Sequence, residues 1–186
     1  MNLILGDCMK IMRRMPDQGV DLILTDPDYN FDRESIQIIH DEFIRIAKCV
    51  IVFSPPKNQW VLPADQYLFW VKPISTKNTS KNYSRFIEMI FVYGRNEWNS
   101  GRNWAHYTNI FNDLMDGRLH PHQKPASLIR RLVLNHTHPG QRVLDPFMGS
   151  GTTGYVCKKL ARDFIGIERD EHYYKVATER IAKVNK

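Results

Sequence analysis

The sequence predicts an α/β domain built on a largely parallel sheet, and three observations carry that reading. Short apolar runs of strand length alternate with longer segments of helical periodicity. One run, Arg142-Val143-Leu144, empties into a glycine-rich turn that feeds a helix. Two other runs have no helix between them, which predicts an antiparallel pair at one edge. Taken in order, the first strand is expected at 2–5 and a helix at 8–15. The near-continuous apolar run Val-Asp-Leu-Ile-Leu-Thr gives a strand at 20–25. A helix at 35–48 leads into Val-Ile-Val-Phe at 50–53. Strands at 67–71 and 87–93 form the edge pair. A helix at 126–137 precedes the strand at 143–146, a helix at 152–160 follows its turn, and a strand at 164–168 and a helix at 171–184 complete the alternation.

The turn itself, Asp145-Pro146-Phe147-Met148-Gly149-Ser150-Gly151-Thr152-Thr153, is the most informative stretch. Gly149, Gly151 and Gly154 fall in the G-x-G-x-x-G spacing that lets backbone approach a nucleotide-sized ligand. Glu168 ends the next apolar run, about 20 residues on, where an acid can hold ribose hydroxyls. A helix N-terminus suits an anion, whereas a carboxylate just before the glycines suits a cation. S-adenosylmethionine carries both an ammonium and a sulfonium. Asp145-Pro146-Phe147-x-Gly149-Ser150-Gly151-Thr152-Thr153 resembles the cofactor motif of the DNA amino-methyltransferases, which methylate adenine N6 or cytosine N4. The resemblance implies a Rossmann-like S-adenosylmethionine-dependent methyltransferase fold with Asp145, Phe147, Gly149, Ser150, Gly151, Thr152 and Glu168 around the cofactor.

Order along the chain adds to this. In a nucleotide-binding α/β fold the glycine-rich turn follows the first strand of the cofactor half. Here only 18 residues follow Glu168, room for one helix. The remaining strands must come from upstream, so the fold reads as circularly permuted, catalytic half first. That is also the motif order of the β group of the family.

The upstream half holds Val20-Asp21-Leu22-Ile23-Leu24-Thr25-Asp26-Pro27-Asp28-Tyr29-Asn30, an apolar strand ending in Asp-Pro-x-Tyr. It resembles the family's Asp-Pro-Pro-Tyr, and the chemistry explains the residue types. An exocyclic amine is a poor nucleophile because its lone pair is delocalised into the ring. A carboxylate and a backbone carbonyl accepting its two N–H bonds shift it towards a tetrahedral, nucleophilic nitrogen. By resemblance, Asp26 and the Pro27 carbonyl take the amine, Tyr29 stacks on a base flipped out of the duplex, and Asn30 extends the contact to DNA. Aspartate rather than serine at the first position favours adenine. Asp28 departs from the family: it replaces a proline and brings a second negative charge beside Asp26. Facing solvent, the change is mild; facing the pocket, it slows or silences the site.

Smaller matches surround these two motifs. Asp7 stands where the family has an acid contacting the cofactor adenine. His120-Pro121-His122-Gln123-Lys124-Pro125 resembles the family's His-Pro-x-Gln-Lys-Pro, placing Lys124 at the cofactor pocket. Trp70-x-Lys72-Pro73 and Glu88 resemble strand motifs of the catalytic half. Ser54-Pro55-Pro56-Lys57 mimics a cytosine-type tetrapeptide but lacks the aromatic.

Composition bounds the rest. A chain of 186 residues, 42% apolar and 25% charged, is expected to form a single domain: a catalytic half over 1–94, a reduced recognition segment over 95–119 and a cofactor half over 120–186. The net charge of +6 is uneven: Lys72 to Arg131 holds ten Lys/Arg against four acids, interleaved with aromatics. Basic groups for phosphates and aromatics for stacking point to DNA, with Lys77, Lys81, Arg95, Trp98, Arg102 and Trp104 as contacts. Family members usually carry a larger target-recognition region, so the expectation is loose sequence preference, a very short target, or recognition shared across a homodimer. Three widely spaced cysteines outside any C-x-x-C pattern, with no bilayer-length apolar run, point to a reduced cytoplasmic protein, bacterial or phage-encoded, without a metal site. Four readings compete with an adenine-N6 enzyme: cytosine-N4 transfer, a DNA-binding regulator silenced at Asp28, methylation of RNA or protein glutamine, and a dinucleotide oxidoreductase. The last fits worst, because Asp145 would face a pyrophosphate.

Overall fold

The computed structural model describes residues 1–27, 31–54, 60, 62–72, 87–94, 110–112 and 123–184. Eight strands form one sheet: β1 (Asn2–Leu5), β2 (Val20–Thr25), β3 (Ala47–Ser54), β4 (Gln66–Val71), β5 (Ile87–Gly94), β6 (Ile110–Phe111), β7 (Arg142–Asp145) and β8 (Asp163–Glu168), in spatial order β1-β8-β7-β2-β3-β5-β4-β6. The five strands from β1 to β3 are parallel. β5 runs antiparallel to both β3 and β4, and β6 continues parallel to β4. β2 and β3 are buried along nearly their whole length, which explains runs that are apolar without alternation: strands covered on both faces have no polar side to show.

The helices are α1 (Cys8–Met12), α2 (Arg33–Ile46), α3 (Ala126–His136), α4 (Thr152–Lys159) and α5 (Glu171–Ala182). Asp7, Asp32 and Asp170 cap α1, α2 and α5, each side chain accepting a backbone N–H three residues on, from Lys10, Ser35 and Tyr173. α2 buries Ile39, Phe43 and Ile46, one stripe at helical spacing, against Ile23, Val50 and Val52 of the sheet, together with Met12 of α1. On the other face Leu128, Leu132, Val156, Cys157, Ala177 and Ile181, from α3, α4 and α5, pack on Leu22, Leu24, Ile51 and Phe53. The result is three layers with helices on both faces. Among the described residues no helix is long and apolar enough to cross a membrane.

The expected elements are present, with ends moved by a few residues, and the α/β class, mostly parallel sheet and antiparallel pair hold. Two details differ. The later strand of the antiparallel pair, β5, lies inside against β3, leaving β4 further out. The two-residue β6, inside the segment expected to serve recognition, extends the edge beyond β4. It is too short to carry a periodicity that could announce it.

One topological feature positions the site. From β7 the chain moves outward through α4 to β8, and from β2 it moves the other way through α2 to β3. The loops after β7 and β2, adjacent strands, therefore part in opposite directions. A crevice opens where they separate, at the carboxyl ends of the strands, where open α/β sheets hold ligands.

Candidate active site

A cleft of about 380 Å³ occupies that crevice, lined from the ends of β1, β2, β7 and β8. Its walls include Asp7, Asp26, Pro27, Lys124, Asp145, Phe147, Gly149, Ser150, Thr152 and Glu168, so ten of the residues singled out from sequence meet in one place. Gly151 sits directly behind them as the N-cap of α4, in left-handed backbone with φ 74°. Its missing side chain is required twice over, since a Cβ would stand 2.9 Å from the Ala177 Cβ of α5. Tyr29, Asn30, Lys77, Lys81, Arg95, Trp98, Arg102 and Trp104, and with them Asp28, lie outside the described residues.

Asp145 is buried, and its carboxylate is an anchor for the turn. Oδ1 accepts the Thr25 hydroxyl at 2.9 Å and the Phe147 amide at 3.2 Å; Oδ2 accepts the Thr153 hydroxyl at 2.8 Å. Burial pushes its pKa up to about 6, against the pull of those three donors. Thr25 was not singled out from sequence; its signal was its place as the last residue of β2, facing the motif across β7. Glu168 ties two loops together, with Oε2 accepting from the Gly149 amide and Oε1 from the Asp170 amide, both at 2.9 Å. Ser150 donates to Gln123 Oε1 at 3.2 Å, joining the glycine turn to the segment ahead of α3, and Arg180 reaches the Thr152 hydroxyl at 2.8 Å. Phe147 meets Phe31 edge to face, centroids 5.9 Å apart, forming an aromatic flank.

Lys124 lines the cleft and is also the centre of a buried ion-pair group. Its ammonium, almost wholly buried, lies 2.5 Å from Asp26 Oδ2 and 2.7 Å from Glu88 Oε1, and 5.1 Å from the centre of the Phe53 ring. Glu88, on β5, also meets Lys72 at 2.6 Å. Burial pushes the Glu88 carboxyl up, but the two ammonium groups outweigh it and hold the group below the usual glutamate range. Sequence reading noted Lys72 and Glu88 only as strand motifs.

The lining chemistry suits a cationic, nucleoside-bearing ligand without phosphate. Asp7, Asp26, Asp145, Glu168 and Asp170 line the cleft against Lys124 and Arg169, and Lys124 is already matched to carboxylates. His136 is buried against Cys49, 3.8 Å from its sulfur, and among the described residues no group of His, Cys, Asp and Glu is arranged for a metal. The described cysteines are free thiols.

The sequence profile of a family described as DNA methylase, the N6/N4 methyltransferases, matches residues 28–179. The chain belongs to this family. Like its other members, this DNA methyltransferase uses S-adenosylmethionine, and DNA is its substrate. It is 27% identical to the type II methyltransferase M2.DpnII of Streptococcus pneumoniae, an alignment covering all of this chain and 91% of that one. That alignment runs over 246 positions, to which this methyltransferase brings 186 residues, so the relative carries segments with no counterpart here. The solved complex of M1.HpyAVI with S-adenosylmethionine superposes with a TM-score of 0.77 at 27% identity, covering 96% of this chain and 98% of that one. The cytosine-N4-specific PvuII DNA methyltransferase shares the fold, with a TM-score of 0.73 at 16% identity, covering 99% and 87%.

Proposed function

We propose that this enzyme transfers a methyl group to the exocyclic N6 amine of adenine in DNA, acting on a base flipped out of the helix. The observation that carries this reading is the Asp26 carboxylate at the end of β2, opening on the same cleft as the glycine turn after β7. An acceptor for the amine and a seat for the cofactor then share one crevice. S-adenosylmethionine, when bound, supplies a methyl group already activated by its sulfonium, so the chain's own work is placement. Asp26 and the Pro27 carbonyl accept the two N–H bonds of the amine and localise its lone pair; Tyr29 stacks against the base. Asp7 and Glu168 lie on the nucleoside side, and Gly149, Ser150, Gly151 and Thr152, held by Asp145, shape the turn against the cofactor. Phe147 flanks the cleft, and Lys124 closes it from the α3 side.

Aspartate at position 26, where cytosine enzymes tend to carry serine, favours adenine. The fold shared with a cytosine-N4-specific enzyme keeps N4 transfer as the second reading. The motif order, catalytic half before cofactor half, supports a reading of the chain as one of the permuted β group of the family. Residues 95–119, with Arg95, Trp98, Arg102 and Trp104, serve as a reduced recognition segment, with Asn30, Lys77 and Lys81 as further DNA contacts. Either the target is short or loosely read, or a homodimer shares the reading.

The test is incubation with S-adenosylmethionine and unmodified duplex DNA, digestion to nucleosides and mass spectrometry. N6-methyladenine is the expected product. N4-methylcytosine would keep the mechanism and overturn the base, and no product with cofactor bound would turn the reading to a site silenced at Asp28 or to a different substrate.

A further inference from the structure

Four charged side chains alternate in sign along one line through the catalytic half: Lys72, Glu88, Lys124 and Asp26. Lys72 follows β4, with its side chain about one third exposed, and its ammonium lies 5.1 Å from the centre of the Trp70 ring. Glu88 faces it from β5, where its strand neighbour on β4 is Trp70, and its side chain is 2% exposed. Lys124 comes from the segment ahead of α3 and is 7% exposed; Asp26, at the cleft, is 15% exposed. The line runs from solvent to the group proposed to hold the amine.

A core does not need such a line. Buried ion pairs contribute little against apolar residues of the same volume, whereas breaking one strands a charge. What the line changes is the state of Asp26. An ammonium in contact keeps the carboxylate ionised and fixes its direction, but an ammonium with no other anion would hold that carboxylate fully and compete with the incoming amine. Glu88 divides the hold of Lys124, and Lys72 in turn compensates Glu88.

We propose that Glu88 is a positioning residue for methyl transfer: it acts through Lys124, dividing that ammonium's hold so that Asp26 stays aimed at the cleft with capacity left for the substrate amine. Lys124 is then a second positioning residue for Asp26 rather than chiefly a cofactor contact. This rests on the placement of Asp26 at the amine proposed above.

The test is a double-mutant cycle on the full chain with Glu88→Gln and Lys124→Gln, both close in shape to the native side chains. Single-turnover methylation of duplex DNA and S-adenosylmethionine affinity by calorimetry are the readouts. Glu88→Gln is expected to slow transfer roughly 10- to 100-fold, the scale of a misplaced reacting group, with cofactor affinity unchanged. In the Lys124→Gln background the same change is expected to have no further effect. Additive losses, or a loss of cofactor affinity matching the loss of rate, would overturn the proposal. The cycle is also read without turnover, on the Asp26 carboxyl carbon by NMR: Glu88→Gln should move that resonance only when Lys124 is present. Movement in both backgrounds, or in neither, sinks the coupling. Absence of transfer by the unmodified protein, with the NMR coupling intact, would instead fail the assignment of substrate.

Discussion

Asp26 and Asp145 are carboxylates at the ends of neighbouring strands, and their surroundings give them opposite tasks. Asp26 lies at the cleft beside the Lys124 ammonium, as the acceptor proposed for the substrate amine. Replacing it with alanine should reduce methyl transfer about 100- to 1,000-fold, the scale of removing one preorganised polar contact to a reacting group, while calorimetry finds the cofactor still bound. Asp145 is held by two threonine hydroxyls and an amide within the fold. Its pKa is raised from 3.8 to about 6, so between those values the folded chain binds the proton more tightly than the unfolded one. Its contribution to stability is therefore complete below about pH 4 and is lost as pH rises through 6. Urea unfolding across that range should find the unmodified protein losing about 3 kcal/mol relative to Asp145→Asn. At this scale the sequence was legible where a motif ends a strand, as in Asp145-Pro146-Phe147 and Asp26-Pro27, which both reach the cleft. It was silent on the ion pairs of Lys124, whose partners lie 98 and 36 residues away, a proximity only the sheet order creates.

Among the elements, the joint of β7, the glycine turn and α4 is the most tightly specified. Gly151 turns in left-handed backbone beneath α5, and Gly154 admits the Ile181 Cδ1 and the Phe164 ring, which would stand 2.5 and 2.6 Å from an added Cβ. The far end of Ile181 can rotate away; the aromatic ring, fixed in β8 and wholly buried, cannot easily yield. Gly154→Ala should therefore cost about 1–3 kcal/mol, and Gly151→Ala, with strain in φ added, at least as much, both read by urea unfolding. Because α4 carries the turn that shapes the cleft, weakened S-adenosylmethionine binding should accompany the loss. The glycine spacing could be read directly because each position answers a local demand of backbone and close packing. The ends of α1 and α2 could not: α1 stops at Met12, three residues early, and α2 runs straight into β3 with no glycine or proline to mark the break.

For the whole molecule, the uneven +6 charge predicts that affinity for duplex DNA falls linearly with the logarithm of salt concentration, as bound phosphates release their counterions. Fluorescence anisotropy over a salt series checks it, and a flat response would remove the phosphate contacts from the account. Fold class was legible in the alternation of strands and helices because that pattern is set by which faces are covered. The position of β5 between β3 and β4 was not, since both orders bury the same apolar residues. β1 shows what such long-range pairing entails. It hydrogen-bonds along β8 from Asn2↔Ile165 to Leu5↔Glu168, the Gly6 amide donates to the Glu168 carbonyl, and Tyr174 reaches back to Leu3. During synthesis on the ribosome the first strand must wait for almost all the rest before it has a neighbour. Asp7 and Glu168, both proposed to flank the cofactor, reach one cleft only through that pairing, so the proposed seat is assembled late, by the joining of the two ends of the sheet's order rather than by either half alone.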